Sequence, residues 1–404
     1  MMNSTPSLTE PTDVNKSEDR QYAWAYLSRV LEGPSEALQI ALAERDGDVE
    51  SIARDIKNRD ARIGEDLLLR SQARSDAGLH HIDQDLKQAE KVGARLITPD
   101  SPEWPDGLGG AESIRGDGQH HYVPPHALWV RGQLLKPLFI QAVGIVGTRT
   151  HSRYGKEATE LISGGLATHC YTVVSGGALG IDTVAHTQAI ERGGRTVAVL
   201  ATGIDKAYPA RNTALFDRIA EHGALISEYP PGVHPARHRF LTRNRLVAGL
   251  TQGIVVVEAA WRSGALNTLA WANCLGKVAM AVPGPITSRG SVGCNVKIRE
   301  HQAHMVVGAD DVRSLLAPIG AVHADENYML DFGQDQTPKL SRLQLQVFDA
   351  LNAPGVEGVS TSVAAKRSGL GTVLCVQGLM ELKDRGLAAL IGGLWVRIEH
   401  ERDG

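Results

Sequence analysis

Cysteine is scarce in this chain: Cys170, Cys274, Cys294 and Cys375 are spread over 404 residues with no Cys-x-x-Cys pair. That argues against a zinc site and a disulfide framework, and it fits a reducing cytoplasm. Long apolar runs are missing too. Nothing approaches the roughly 20 residues needed to cross a bilayer, so no membrane partner is expected. Met1 to Arg20 is polar, carries acids and lacks the apolar segment of a signal peptide, and reads as a disordered tail. A Walker A pattern is absent, and Gly144-Ile-Val-Gly147 has the wrong spacing for a dinucleotide fingerprint. No cofactor and no metal are therefore expected.

Net positive charge is also lacking, the formal value being -4. Its distribution is more informative. Residues 139–310 hold 17 Lys/Arg against 11 Asp/Glu, whereas 1–138 hold 16 against 23 and 311–404 hold 9 against 12. Positive charge is thus concentrated in one internal stretch. With 42% hydrophobic and 22% charged residues the chain is an ordinary globular one, long enough for two or three cores.

That internal stretch alternates short apolar runs with helix-compatible segments. Strands are expected at Ala142–Val146, Tyr171–Val174, Thr196–Leu200, Ala224–Ile226, Ile254–Val257, Val278–Val282 and Met305–Val307. Continuous apolar strands separated by helices predict an α/β fold, a doubly wound parallel sheet covered on both faces. Ligands bind such sheets beyond the strand C-termini.

The flanks read differently. Residues 21–82 carry i, i+3, i+4 apolar spacing, beginning with Ala23, Tyr26, Leu27 and Val30. They predict a small helical domain of sterile-alpha-motif or helix-hairpin-helix type, whose acidic balance points to packing or partner binding. The sheet domain takes 83–318, and a polar stretch over 319–338 reads as a linker. Residues 339–400 read as three helices and a hairpin around Gly392-Gly393, the order of a winged helix-turn-helix. The third of those helices carries only Lys383 and Arg385 near its end, so protein contact is the expected use.

Four turns at strand ends carry the candidate chemistry. In Gly147-Thr148-Arg149 a glycine turn brings backbone amides toward an anion, and Arg149 adds a planar fork for phosphate. Ser175-Gly176-Gly177 opens a second glycine turn that lets a backbone approach a ligand closely. Asp182 behind it sits where a helix N-cap or first-turn acid would sit, and His186 reads as a packed histidine. In the third turn, Tyr208-Pro209 reads as fixing a loop. The fourth spans Arg237 to Arg245, with Arg237, Arg239, Arg243 and Arg245 interleaved with Phe240. Cations for phosphates and a ring for one base are what an unpaired strand needs. Glu258 has no titratable partner at a defined spacing and reads as a hydrogen-bonding residue; Cys294 reads as an inert thiol.

In order, these segments resemble the DNA-processing protein A family (DprA, also called Smf). The resemblance rests on Ala142-Val-Gly-Ile-Val-Gly-Thr-Arg149 with Ser152 to Gly155, Val174-Ser-Gly-Gly-Ala-Leu-Gly-Ile-Asp182 with Ala185-His186, and Val197-Ala-Val-Leu200 with Gly203-Ile-Asp205 and Tyr208-Pro209. It continues through Ser227-Glu-Tyr-Pro230, Phe240 with Arg243-Asn-Arg245, Val257-Glu-Ala259 with Ser263-Gly264, Val282-Pro-Gly284 and Gly293-Cys-Asn295. It is dense over residues 85 to 310. Leu241 stands where that family usually has proline, and Asn267-Thr268-Leu269 and Lys297 also depart from its pattern.

The resemblance implies an extended Rossmann-like domain that binds single-stranded DNA, forms a homodimer and helps load RecA recombinase in natural transformation. It implies a nucleic-acid pocket made of Thr148, Arg149, Ser175, Gly176, Gly177, Arg237, Phe240, Arg243 and Asn244. It also implies a protein that is not an enzyme, with no catalytic residues. The rival reading is a nucleotide phosphoribohydrolase of the "Lonely guy" kind. That family's paired glycines and following glutamate are missing from Arg262-Ser-Gly-Ala-Leu-Asn-Thr268.

Overall fold

A computed structural model describes residues 12–72, 79–109, 114–115, 120–317, 340–353 and 356–398. The chain divides into two compact units, Met1–His323 and Ala324–Gly404. The expected linker over 319–338 lies outside the described residues.

The strands of the first unit are β1 (Ala94–Ile97), β2 (Ile114–Arg115), β3 (His121–Tyr122), β4 (Leu128–Gly132), β5 (Ala142–Val146), β6 (Thr172–Ser175), β7 (Thr196–Leu200), β8 (Ala224–Ser227), β9 (Gly253–Val256), β10 (Val278–Ala281) and β11 (His304–Met305). Nine of them form one sheet in the order β1-β4-β8-β7-β6-β5-β9-β10-β11, and β2 and β3 pair separately. From β8 across to β11 every pairing is parallel. Each residue of β5, β6, β7 and β9 is buried, as expected for strands with a helix layer on both sides. Gly144 shows how closely they pack: a Cβ there would stand 2.2 Å from Ile254 Cδ1 on β9.

The sheet is not parallel throughout, and that corrects one expectation. β4 runs antiparallel to β8, with Trp129 opposite Ser227, and β1 runs antiparallel to β4. Apolar patterning identifies a strand without giving its direction.

Chain order reverses beside β5. β6, β7 and β8 are laid down on one side of it, and β9, β10 and β11 on the other. Such a reversal opens a crevice at the strand C-termini.

Helices Thr12–Leu31, Glu36–Glu44, Val49–Asn58, Glu65–Gln72 and Leu79–Lys91 precede the sheet. Trp24, Leu27, Leu31, Ile52 and Ile56 share a core with Trp129, Leu200 and Leu225 of the sheet. The first helix begins at Thr12, inside the stretch 1–20 expected to be a tail; residues 1–11 lie outside the described residues.

In the second unit, helices Arg342–Asp349, Thr361–Ser368 and Thr372–Asp384 are followed by β12 (Ala388–Ile391) and β13 (Leu394–Arg397), an antiparallel hairpin. Val347, Leu351, Ala364, Leu379, Leu382 and Trp395 form its core.

Candidate functional site

The turn after β5 is stitched to its neighbours on both sides. Thr148 donates its N–H to the Glu258 carbonyl at 2.8 Å, and its own carbonyl accepts from Ile181 N–H at 3.1 Å. Glu258, buried beyond the end of β9, binds Ser152 twice: Oε2 accepts the backbone N–H at 2.9 Å and Oε1 the hydroxyl at 2.6 Å. Ser152 in turn caps helix Arg153–Thr168 through Gly155 N–H. Glu258 therefore holds the loop that presents Arg149, with each of its carboxylate oxygens accepting one hydrogen bond from Ser152.

The turn after β6 is organised differently from the sequence expectation. Gly176 and Ala178 donate their N–H groups to Asp182 Oδ2 at 3.1 and 3.3 Å. Those amides, like that of Thr148, are already satisfied within the protein. Gly176 makes room for the Arg243 guanidinium, since a Cβ would lie 2.0 Å from Nη1. Ser175 is buried and donates its hydroxyl to the Ile145 carbonyl at 2.6 Å. Gly177, at φ +67, faces the Phe216 ring. Neither Ser175 nor Gly177 reaches the cleft surface.

Asp182 lies in the first turn of helix Ile181–Glu191, with Gly180 as the N-cap. Burial pushes its carboxyl pKa up, opposed by Arg243 and by the two amides. Arg243 donates to the Val199 carbonyl at 2.5 Å, and burial pushes its pKa down against the pull of Asp182. This pair forms the floor of the site.

Helix Arg237–Gly249 supplies the wall, and its pitch divides the four arginines. Arg237, Phe240, Leu241 and Asn244 follow i, i+3, i+4, i+7 spacing and share one face. Arg239 turns away to pair with Glu32, 2.5 Å apart, and lies over the Tyr229 ring. Arg245 is buried in a two-pronged ion pair with Glu228, with Nη2–Oε1 2.5 Å and Nη1–Oε2 3.0 Å. Two of the four clustered arginines, neither of them in the pocket that the resemblance implies, are thus structural bolts.

Thr148, Arg149, Gly176, Arg237, Phe240, Arg243 and Asn244 do converge, lining one cleft of about 660 Å³. The Phe240 ring is half-buried, with the Arg149 guanidinium 5.2 Å from its centroid and Tyr208 at 5.6 Å, tilted by 53°. Asn244 donates to the Gly264 carbonyl and to Asn267 Oδ1, both at 3.2 Å. Arg149 and Arg237 are exposed and make no ion pair among the described residues. Two helix N-termini, at Ala236–Arg237 and at Ser263–Gly264, open into the same space and add positive potential. The result is a cleft suited to an anionic ligand carrying a flat ring.

Sequence reasoning left Tyr208, Ser263, Gly264 and Thr268 out of this site, though all four line it. Their position after β7 and β9, on the rim that already held the glycine turns, was the available signal. His186 lies elsewhere, fully buried, with Nδ1 2.7 Å from Thr196 Oγ1 and its pKa pushed down to about 3 by burial. Burial pushes the Cys294 thiol up to about 12, which leaves it protonated and unreactive at neutral pH.

The family profile of DNA recombination-mediator protein A matches residues 95–317. Over 381 residues the chain is 43% identical to the putative DNA processing protein DprA of Mycobacterium tuberculosis H37Rv, spanning 92% of this chain and 93% of that one. It is 36% identical over 279 residues to protein Smf of Escherichia coli K12, spanning 68% of this chain and 72% of the relative. Among solved structures, DNA processing protein A from Streptococcus pneumoniae superposes with a TM-score of 0.60 at 28% identity, covering 74% of this chain and 98% of that one.

Proposed function

The chain belongs to the DNA recombination-mediator protein A family, and from that premise we propose that it processes DNA by holding a single strand in the Arg149–Phe240 cleft. The observation that carries this reading is the meeting of two unpaired exposed arginines with a half-exposed ring at the C-terminal rim of the sheet. The arginines suit the backbone of any sequence, and the ring suits the face of an unstacked base. A duplex keeps its bases stacked inward and offers no face to Phe240.

The role is binding rather than catalysis. In support, Asp182 and Glu258, the buried carboxylates nearest the cleft, are committed to the loops that shape it. A phosphoribohydrolase would need such a group free at the sugar. The resemblance to DprA supports the remaining parts of the reading. The bound strand is incoming DNA in natural transformation, the recombinase loaded onto it is RecA, and the working form is a cytoplasmic homodimer. No described helix is long and apolar enough to cross a membrane. The three helices and hairpin of the second unit support a winged helix, with protein contact as its use.

The test is a fluorescence-anisotropy titration of the full chain with labelled single- and double-stranded oligonucleotides at two salt concentrations. Tighter, salt-sensitive binding of the single strand is expected. Equal affinity for both forms, or release of free base from a nucleoside monophosphate, would count against this reading.

A further inference from the structure

The cleft accounts for only part of the positive rim. The segments that follow five of the parallel strands carry exposed arginines: Arg149 after β5, Arg211 after β7, Arg237 at the start of the helix after β8, Arg262 after β9 and Arg289 after β10. None of the five makes a side-chain hydrogen bond or ion pair among the described residues. The strands from β8 to β10 span about 24 Å at the usual inter-strand spacing. Arg149 and Arg237 line the cleft, whereas Arg262 and Arg289, after β9 and its neighbour β10, are not among its lining residues.

Trp261 stands beside them. It is 58% exposed, while Trp24, Trp129, Trp271 and Trp395 are buried and Trp104 is half-buried. Two residues on, Ser263 lines the cleft, so the Trp261 and Ser263 Cα atoms are at most about 7 Å apart. The β9 and β10 loops are fastened to one another. Gly293 donates its N–H to the Ala259 carbonyl at 2.8 Å, and the open side of Gly290 faces Glu258 Oε1. Trp261 and Arg262 follow β9, and the exposed Ile286 and Arg289 follow the neighbouring strand β10, so the two braced loops carry two apolar side chains and two arginines beside the cleft.

An exposed indole with unpaired guanidinium groups nearby repeats, outside the cleft, the chemistry found within it. We propose that a single strand held in the cleft continues over the β9 and β10 loops, where Trp261 stacks a second base and Arg262 and Arg289 meet phosphates. This rests on the single-strand reading above and extends it from a pocket to a track. A short strand fills the cleft alone; a longer one reaches these loops.

The test compares oligo-dT of roughly six and roughly twenty nucleotides, bound by the wild-type full chain and by Trp261→Ala, Trp261→Phe and Arg262→Ala/Arg289→Ala. Trp261→Ala is expected to weaken the long oligonucleotide by about tenfold and leave the short one unchanged, with Trp261→Phe restoring much of the loss. The double arginine variant should lower the salt slope for the long strand by about 1.4 and not for the short one. Wild-type affinity of Trp261→Ala for both lengths, or an equal loss for both, would overturn the track. So would a change in self-association with oligonucleotide binding intact, which would assign Trp261 to a protein contact. Failure of the wild-type protein to bind either length would instead overturn the single-strand reading itself.

Discussion

The Arg149 guanidinium lies 5.2 Å from the centre of the Phe240 ring, although the two residues belong to different loops and are 91 positions apart in the chain. One is carried by the turn after β5, the other by the helix that follows β8. A cation over an exposed ring face is a weak attraction in water, about 0.5–1 kcal/mol. Its interest is geometric: a cation and a ring are presented side by side before any ligand arrives.

Phe240→Ala should therefore weaken single-strand binding by about 1–3 kcal/mol without lowering the midpoint of urea unfolding, because the ring is only half-buried. Phe240→Trp should bind at least as well as wild type. Oligonucleotide anisotropy beside a urea melt separates the two effects, and unchanged affinity in Phe240→Ala would remove the ring from the site.

Glu258 makes a contrasting case. Replacing it by alanine leaves the Ser152 N–H and hydroxyl without their acceptor and opens space against Gly155, where a Cβ would have met Oε2 at 2.0 Å. The expected loss is about 2–4 kcal/mol, with weaker DNA binding as the Thr148–Arg149 turn loosens. Glu258→Gln keeps one acceptor oxygen and should recover part of both. A urea melt of Glu258→Ala that matches wild type would contradict the bracing role.

His186 gives the protein an acid-sensitive point. Thr196 Oγ1 donates to the Val173 carbonyl, so it accepts from His186 Nδ1–H. Among the described residues Nε2 has no partner, and burial holds the pKa at about 3. An unfolded chain takes up that proton near pH 6.5; the folded one does not. Stability from this residue is complete above about pH 6.5 and drains away as the pH falls toward 3. Between pH 7.5 and 5 the loss is about 2 kcal/mol, and His186→Gln should lose that much less over the same interval. His126, also pushed down to about 3 by burial, is common to both proteins and cancels in the difference. Parallel urea melts with identical pH dependence would contradict the assignment.

The parallel strands other than the exposed edge strand β11 were legible because their apolar runs are buried on two faces. Ala142–Val146 and Thr196–Leu200 coincide with β5 and β7, and the others fall within one or two residues. The antiparallel pairing of β1 and β4 was not, since alternation carries no sign of direction. Within the site, the rim position of Arg149 and Gly176 followed from the strand-turn-helix pattern. The fates of Arg239 and Arg245 did not, because read as a linear cluster they look equivalent to Arg237. Only the helical phase, and the distant acids Glu32 and Glu228 that receive them, divides the four. The internal bonding of the glycine turn was hidden for a similar reason. Its amides are claimed by Asp182, six residues beyond Gly176, and the missing Cβ serves Arg243 from a helix more than sixty positions away.

The most direct measurement is the salt dependence of single-strand affinity for wild type and for Arg149→Ala/Arg237→Ala, the two exposed cations of the cleft. If each meets one phosphate, the slope of log K against log salt should become shallower by about 1.4, with affinity reduced and the urea midpoint unchanged. A double variant with wild-type slope and wild-type affinity would contradict a polynucleotide seated in this cleft.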